Sequence, residues 1–437
     1  MAPHMVLHLS AALVVIVVVA RLLGRVAERL QQPPVIGEIA AGILLGPTVF
    51  GGELTRLLFP ADIRPALQTL ATVGVVLFMF LVGLELNGDL LRGQRRTACG
   101  VALSSIVVPF GLGALLALCL AERYPSAHRV GFVLFLGTAM SVTAFPVLAR
   151  ILTDRKLLAT PVGAVAVAVA AVDDVIAWSL LAVVAVVAGG AAEPWRLVLV
   201  VPFVLLVIGG LRPLLARWGA WTDRRSRGRP GVGARYGAAA SVVIAGGLAL
   251  SASATEWMGL HLIFGAFLFG AAMPREHGIQ LRAWVVSRVR GVSSVLLPVF
   301  FVVAGLAVDL SALGGAALGD LALILLTAVG GKGIGAYLGA RANRIAPRDS
   351  VALAILINTR GLTELIALTV GVELGVLDTD LYSLMVVMAL VTTAMAGILL
   401  PLVYPASPGR AERPPEHAVA ADSGAAPDST EHSRGRR

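Results

Sequence analysis

Long apolar stretches, separated by short polar ones, run along almost the whole chain. A helix needs about 20 mostly apolar residues to cross a bilayer. The stretches end at charged residues or at segments rich in proline and glycine. The pattern predicts thirteen membrane-spanning helices, near residues 5–23, 35–51, 66–86, 98–120, 130–152, 159–188, 195–216, 236–253, 257–273, 292–310, 313–340, 350–373 and 381–404.

The composition excludes the other broad classes of protein. Of the 437 residues, 57% are hydrophobic and 14% are charged, whereas soluble domains average about 25% charged residues. Whole-chain disorder is excluded by the same apolar fraction. The two cysteines, Cys99 and Cys119, lie in one apolar stretch, about 30 Å apart along a helix, which is too far for a disulfide. We therefore expect an all-α polytopic membrane protein over residues 1–404 and a disordered cytoplasmic tail over residues 405–437.

Basic residues in the loops predict the orientation. Loops after odd-numbered spans carry 23 Lys and Arg residues, and loops after even-numbered spans carry 5. Because positive loops stay in the cytoplasm, we expect the N-terminus outside and the C-terminus inside. The basic charge then reflects topology, not a nucleic-acid surface. Of 35 basic residues only Lys156 and Lys332 are lysines.

Two internal similarities indicate an inverted repeat. The segment 78–87 in the third span resembles the segment 300–309 in the tenth: each has an aromatic-rich run, then Gly-Leu, then a polar residue at the same offset. More weakly, Gly42 and Gly46 in the second span resemble Gly265 and Gly270 in the ninth. Both pairs are seven spans apart, so the copies cross the membrane in opposite directions, as in secondary transporters.

Such repeats predict discontinuous helices at matching positions, the fifth and twelfth spans. The fifth contains Pro146, which cannot donate a backbone hydrogen bond and would free carbonyls near Thr143 to face a cavity. The twelfth contains the polar run 358–364, which includes Asn358 and Gly361. A simple proline kink is the alternative for the fifth span.

Charged residues lie in the middle of three predicted spans, where they are costly and mark function. Asp173 and Asp174 are adjacent, and helix neighbours point about 100° apart, so one can face an ion cavity while the other meets a basic partner. Lys332 lies between glycines that let another helix approach, and a desolvated lysine, unlike arginine, can lose its proton. Arg360 and Glu364 have the spacing of an i,i+4 pair.

The chain resembles the monovalent cation:proton antiporter-2 family of the cation:proton antiporter superfamily. Its motifs look closest to plant-type cation/proton exchangers and their bacterial relatives. The resemblance covers residues 5–404 and rests on the segments 32–38, 42–47, 80–85, 141–152, 173–174, 331–333 and 358–365.

The resemblance implies a Na⁺/H⁺ antiporter fold with two crossed broken helices. It also implies a core domain that moves against a separate dimerisation domain, and a homodimer in the inner membrane. Asp174 matches the essential carboxylate, which takes a monovalent cation or a proton, and Asp173 with Lys332 matches the coupling pair. Thr143 falls in the first unwound segment and Arg360 in the second, with Glu364 beside it.

These features predict a transporter, not an enzyme, that exchanges Na⁺ or K⁺ for H⁺ without a cofactor. Two alternatives stay open: a channel-like K⁺ efflux protein, and a Na⁺-coupled organic-anion symporter on a related fold. One departure matters. The plant-like branch usually has Asn where this chain has Asp173, so the stoichiometry cannot be borrowed from it.

Overall fold

The computed structural model describes residues 3–85, 95–157, 160–188, 194–226, 232–258, 260–274, 279–311 and 314–404. The secondary structure in these residues is helical, with turns and short connections between the helices. The predicted disordered tail lies outside these residues. The first half contains α1 (Pro3–Arg29), α2 (Pro34–Leu45), α3 (Pro47–Phe50), α4 (Glu53–Leu58), α5 (Arg64–Glu85), α6 (Arg95–Leu120), α7 (Arg129–Ser141), α8 (Phe145–Asp154) and α9 (Pro161–Val187).

The second half begins with a segmented helix in which a π-helical turn (Leu206–Leu211) joins two α-helical parts. Its helices are α10 (Pro194–Val198), α11 (Val200–Leu205), α12 (Arg212–Ser226), α13 (Val232–Trp257), α14 (Leu262–Ala272), α15 (Ile279–Leu306), α16 (Gly315–Ala342), α17 (Pro347–Ile357), α18 (Leu362–Glu373) and α19 (Thr379–Val403).

Helix is present in each of the thirteen predicted stretches. Among the described residues, eight helices are long and apolar enough to cross a membrane. The second stretch is shorter than predicted, because α2 ends before Gly46-Pro47 and proline cannot continue a helix. The chain is thus a multi-pass integral membrane protein, and the number of crossings stays a prediction.

The helices pack as two bundles, each built from both halves of the chain. In the first bundle, α1, α2 and α5 pack against α14 and α15, and α13 packs on α14 and α15. In the second bundle, α6 to α9 pack against α16 to α19. This division follows the repeat: the first three and the eighth to tenth predicted spans form one bundle, and the fourth to sixth and the last three form the other, while the segmented helix of the seventh span lies between the two copies in the chain.

Glycines bring the two halves of the first bundle into backbone contact. A Cβ on Gly42 of α2 would lie 2.7 Å from the Cα of Gly305 of α15. Likewise, a Cβ on Gly83 of α5 would lie 2.1 Å from a carbonyl oxygen of α14, and one on Gly270 of α14 would lie 2.1 Å from a carbonyl oxygen of α5. The two contacts, α2 on α15 and α14 on α5, are related as the inverted repeat requires.

These contacts correct the register of the weaker sequence similarity. A Cβ on Gly37 would lie 2.1 Å from a carbonyl oxygen of α1, and one on Gly265 would lie 2.0 Å from a carbonyl oxygen of α13. Gly37 and Gly42 of α2 therefore correspond to Gly265 and Gly270 of α14, with the same spacing of five residues. The predicted pairing of Gly42 and Gly46 with Gly265 and Gly270 is wrong. It rested on residue identity alone, and the corresponding glycines are those that contact equivalent helices of the two repeats.

Replacing Gly83 with Ala is expected to destabilise the protein by about 3 kcal/mol, because the new methyl group forces two backbones apart. Thermal denaturation of detergent-purified protein, followed by fluorescence-detected size exclusion, measures the effect. Gly330→Ala in α16 is the matched control, because among the described residues the added Cβ meets no atom within 4 Å beyond its own stretch of helix. Equal melting temperatures for the two variants would contradict the contact.

Candidate ion-binding site

Two interrupted helices cross in the middle of the second bundle. Helix α7 ends at Ser141 and α8 begins at Phe145, and α17 ends at Ile357 and α18 begins at Leu362. The Ala144 N–H donates to the carbonyl oxygen of Thr359 across the crossing (3.1 Å). The predicted breaks in the fifth and twelfth spans are confirmed.

The two breaks have different local causes. Pro146 lies in the first turn of α8, where a missing N–H costs nothing and the fixed φ suits a helix start, so the chain unwinds before the proline. No proline is present at the second break. There Gly361 has an extended backbone, and a Cβ on it would lie 2.6 Å from Cγ2 of Val147. Glycine is needed at that point because α8 packs against the second break.

Asp173 and Lys332 form an ion pair inside the crossing. Lys332 Nζ lies 2.9 Å from Asp173 Oδ2, and both side chains have 0% exposure. The ammonium also donates to Thr143 Oγ1 at 2.7 Å. That hydroxyl lies 2.7 Å from Asp173 Oδ2 and 3.0 Å from the carbonyl oxygen of Ile357. Thr143 is therefore buried and joins the ion pair to the end of α17.

Asp174 has a different environment, as the 100° offset predicts. Its side chain is 2% exposed, and the carboxylate accepts a hydrogen bond from the backbone N–H of Phe145, the first residue of α8. A helix N-terminus favours a negative charge. Its Oδ1 atom is fully buried and has no hydrogen-bond partner among the described residues. The Lys332 ammonium thus pairs with Asp173, whereas Asp174 keeps an acceptor oxygen without a partner among the described residues.

Arg360 and Glu364 hold the two broken helices together. The Arg360 guanidinium donates to the carbonyl oxygens of Ala139 (2.5 Å) and Met140 (2.7 Å), which are among the last four carbonyls of α7 and lack helical partners. Arg360 Nη1 also lies 2.8 Å from Glu364 Oε2, and both side chains have 0% exposure. The predicted i,i+4 pair is present, and it bridges the end of α7 and the start of α18.

Asn358 is 6% exposed at the end of α17. Its Oδ1 atom is buried and has no hydrogen-bond partner among the described residues. The same is true of Glu364 Oε1. Amide and carboxylate oxygens are the usual protein ligands of hard cations. Asp174 and Asn358 therefore each bring one free acceptor oxygen to the crossing.

Two residues that contact the site were not predicted from the sequence. Ser105 of α6 donates to Asp173 Oδ1 at 3.4 Å, and the Thr393 hydroxyl of α19 accepts from the Arg360 N–H (3.2 Å) and lies 2.6 Å from the Arg360 carbonyl oxygen. Both are hydroxyl residues in long apolar spans. That signal is weak, because serine and threonine in membrane helices commonly bond to their own helix backbone.

A cavity of about 240 Å³ lies between the two bundles, near the ends of α5, α14 and α18 that are predicted to face outward. His261 and Glu373 contact each other across it, with Nε2 and Oε2 3.1 Å apart. None of the described residues that line it is a predicted site residue. Within the described residues, no group of three His, Cys, Asp or Glu side chains could hold a metal ion.

Comparisons with known proteins show which family the chain is similar to. The family described as "Sodium/hydrogen exchanger, transmembrane" matches residues 14–404. The Na⁺/H⁺ antiporter NhaS4 of Synechocystis sp. is 38% identical over 92% of this chain and 98% of its own length. The cation/H⁺ antiporter 20 of Arabidopsis thaliana is 36% identical over 89% of this chain, and the K⁺/H⁺ antiporter 1 of Saccharomyces cerevisiae is 32% identical over 91%. The chain spans 47% and 46% of those two relatives.

Among solved structures, the fold is similar to that of the sodium proton antiporter MjNhaP1 from Methanocaldococcus jannaschii. The TM-score is 0.62 at 15% identity, and the match covers 92% of this chain and 97% of that one. At this identity the similarity concerns the fold alone.

Proposed function

The chain belongs to the sodium/hydrogen exchanger family, and from that premise we propose that it exchanges a monovalent cation, Na⁺ or K⁺, for H⁺ by alternating access. It is a transporter and not an enzyme. Its relatives of similar sequence include a Na⁺/H⁺ antiporter and a K⁺/H⁺ antiporter, so both cations are candidates.

The observation that carries the proposal is the buried Asp174 carboxylate with its free Oδ1 atom. An ionised carboxylate in a protein interior is costly unless a proton or a cation neutralises it. The two ligands compete for the same oxygen atoms, so each one leaves when the other binds. When the second bundle moves against the first, that competition becomes an exchange of cation for proton.

Asp173, Lys332 and Thr143 supply the coupling in this mechanism. A cation that enters beside Asp174 repels the Lys332 ammonium and weakens its ion pair with Asp173. The displaced lysine then releases a second proton, which makes exchange electrogenic. Thr143 keeps the ion pair next to the unwound segments, and Asn358 offers its free amide oxygen to the cation together with Asp174.

Arg360 and Glu364 compensate charge at the helix ends in this scheme and keep the crossing intact as the second bundle moves. The first bundle would then be the stationary dimerisation domain of a homodimer. The excess of basic residues in loops after odd-numbered spans supports an outer N-terminus and a cytoplasmic C-terminus in the cytoplasmic membrane.

Everted membrane vesicles test the proposal against the two alternatives. Addition of Na⁺, K⁺, Li⁺ or Rb⁺ to vesicles with an acid interior is expected to dissipate the pH gradient for at least one cation. A K⁺ channel in purified liposomes would move the cation without a proton, and a symporter would need an organic anion. Cation flux with no proton flux would overturn the proposal.

A further inference from the structure

A histidine and a glutamate join the two bundles on the predicted outer side of the membrane. His261 precedes α14 of the first bundle, and Glu373 is the last residue of α18 of the second bundle. His261 Nε2 lies 3.1 Å from Glu373 Oε2. The contact therefore bridges the boundary along which the bundles would move.

The second ring nitrogen of His261 sets the direction of this hydrogen bond. Its Nδ1 atom accepts from the backbone N–H of Ile263 at 3.4 Å, so the side chain caps the start of α14. A ring nitrogen that accepts a hydrogen bond carries no proton, so Nε2 carries the proton and donates to the Glu373 carboxylate. A single side chain thus satisfies the start of α14 and holds the end of α18.

Helix α18 connects this contact to the ion-binding site. Its first turn carries Glu364, which pairs with Arg360 at the crossing. Glu373 lies about 14 Å farther along the same helix, at 1.5 Å per residue. Because a short, regular helix moves as one body, a displacement of the crossing against the first bundle also displaces Glu373 from His261.

Hydrogen bonds also join the start of α19 to the end of α15. The Tyr382 hydroxyl donates to the carbonyl oxygen of Ala304 at 3.0 Å, and Tyr382 is 3% exposed. Ala304 is in the last turn of α15, where carbonyls lack helical partners. The Asp309 N–H donates to Ser383 Oγ at 3.1 Å. Ala304 and Tyr382 line the same cavity of about 240 Å³ as the histidine and the glutamate, so these contacts surround one space between the bundles.

We propose that His261, Glu373, Ala304 and Tyr382 form an outer gate of the exchanger, whose hydrogen bonds break and form again in every transport cycle. This inference rests on the proposed function and deepens it, because it names the residues at which the moving bundle separates from the stationary one. A hydrogen bond weakens steeply with distance and angle, so a shift of α18 by a few ångströms opens the gate.

An engineered metal bridge tests the gate. Glu373→His places an imidazole, which has about the reach of a glutamate, opposite His261, and two imidazoles at this separation can ligate one Ni²⁺ ion. Glu373 is half-exposed, so the fold should tolerate the substitution. In proteoliposomes of this variant, micromolar Ni²⁺ is expected to lower the initial rate of cation-dependent proton exchange by about tenfold or more, because a bridged gate cannot open. EDTA should restore the rate.

Two controls separate the bridge from other effects of the metal. Wild-type protein carries His4 and His8 one turn apart in α1, where Ni²⁺ can bind without crossing the boundary, so its rate should change by less than about twofold. Glu373→His combined with His261→Ala keeps the new imidazole without a partner on α14, so the inhibition should be lost. Thermal denaturation shows whether the bridge forms: Ni²⁺ should raise the melting temperature of Glu373→His more than that of either control.

Full exchange by Ni²⁺-stabilised Glu373→His would overturn the inference, because the bundles would then move without separating α14 from α18. A melting temperature that Ni²⁺ raises no more than in the controls would also overturn it, because the two side chains would then not be neighbours. Both outcomes are separate from the test of Asp174: if Asp174→Asn abolishes exchange while the bridged variant exchanges fully, the proposed function stands and only the gate fails.

Discussion

Replacing Asp174 with Asn is expected to reduce cation-dependent proton exchange by about two orders of magnitude or more, because an amide can neither take up a proton nor neutralise a cation. The fold should survive, since the side chain keeps its shape and the Phe145 N–H still finds an acceptor oxygen. Exchange is measured in everted vesicles as the loss of a pH gradient on cation addition, with protein amounts matched by size exclusion.

Glu53→Gln is the control for Asp174→Asn. It makes the same chemical change at an exposed carboxylate that pairs with Arg56 on the surface, so full exchange is expected. Asp174→Glu should retain measurable exchange with altered cation affinity, because the carboxylate remains but is displaced by one methylene group. Full exchange in Asp174→Asn would contradict the assignment of this carboxylate as the shared site.

Replacing Lys332 with Ala is expected to destabilise the protein by about 3–5 kcal/mol, because Asp173 then keeps a buried charge without its partner. The side chains of both residues are fully buried, so water cannot replace the lost ammonium. Thermal denaturation of the detergent-purified protein measures the loss.

The double variant Asp173→Asn with Lys332→Gln separates charge from packing. No unpaired charge remains in it, so most of the lost stability should return. If the double variant is as unstable as Lys332→Ala, packing and not the ion pair accounts for the loss. In liposomes with a clamped membrane potential, wild-type exchange should depend on the potential and exchange by the folded double variant should not.

The positions of the helices and of the two breaks could be predicted from the sequence, because both depend on local features. A stretch of apolar residues must become a helix in lipid, where every backbone group needs an internal partner. Pro146 and the polar run 358–364 interrupt two of these apolar stretches and so mark the unwound segments. The predicted site residues are also brought together: Asp173, Thr143 and Lys332 form one cluster.

The partners of each group could not be predicted from the residues alone. Neither aspartate could be paired with Lys332 without the family resemblance, since the two carboxylates differ only in their direction from α9. The role of Arg360 at the end of α7 and the contacts of Ser105 and Thr393 were not visible either. All of them join residues from helices far apart in the sequence, and hydropathy reports nothing about which helices are neighbours.

The repeat illustrates the same division. Recurring glycines seven spans apart indicated two inverted copies, but the weaker pair was set in the wrong register, and only the contacts of Gly37 with α1 and Gly265 with α13 corrected it. By itself the sequence determined an all-helical membrane protein with two adjacent aspartates, a lysine and an Arg–Glu pair inside its spans, because lipid admits few alternatives. The tertiary structure decided which carboxylate is paired and which keeps a free oxygen, because that depends on how distant helices pack across the crossing.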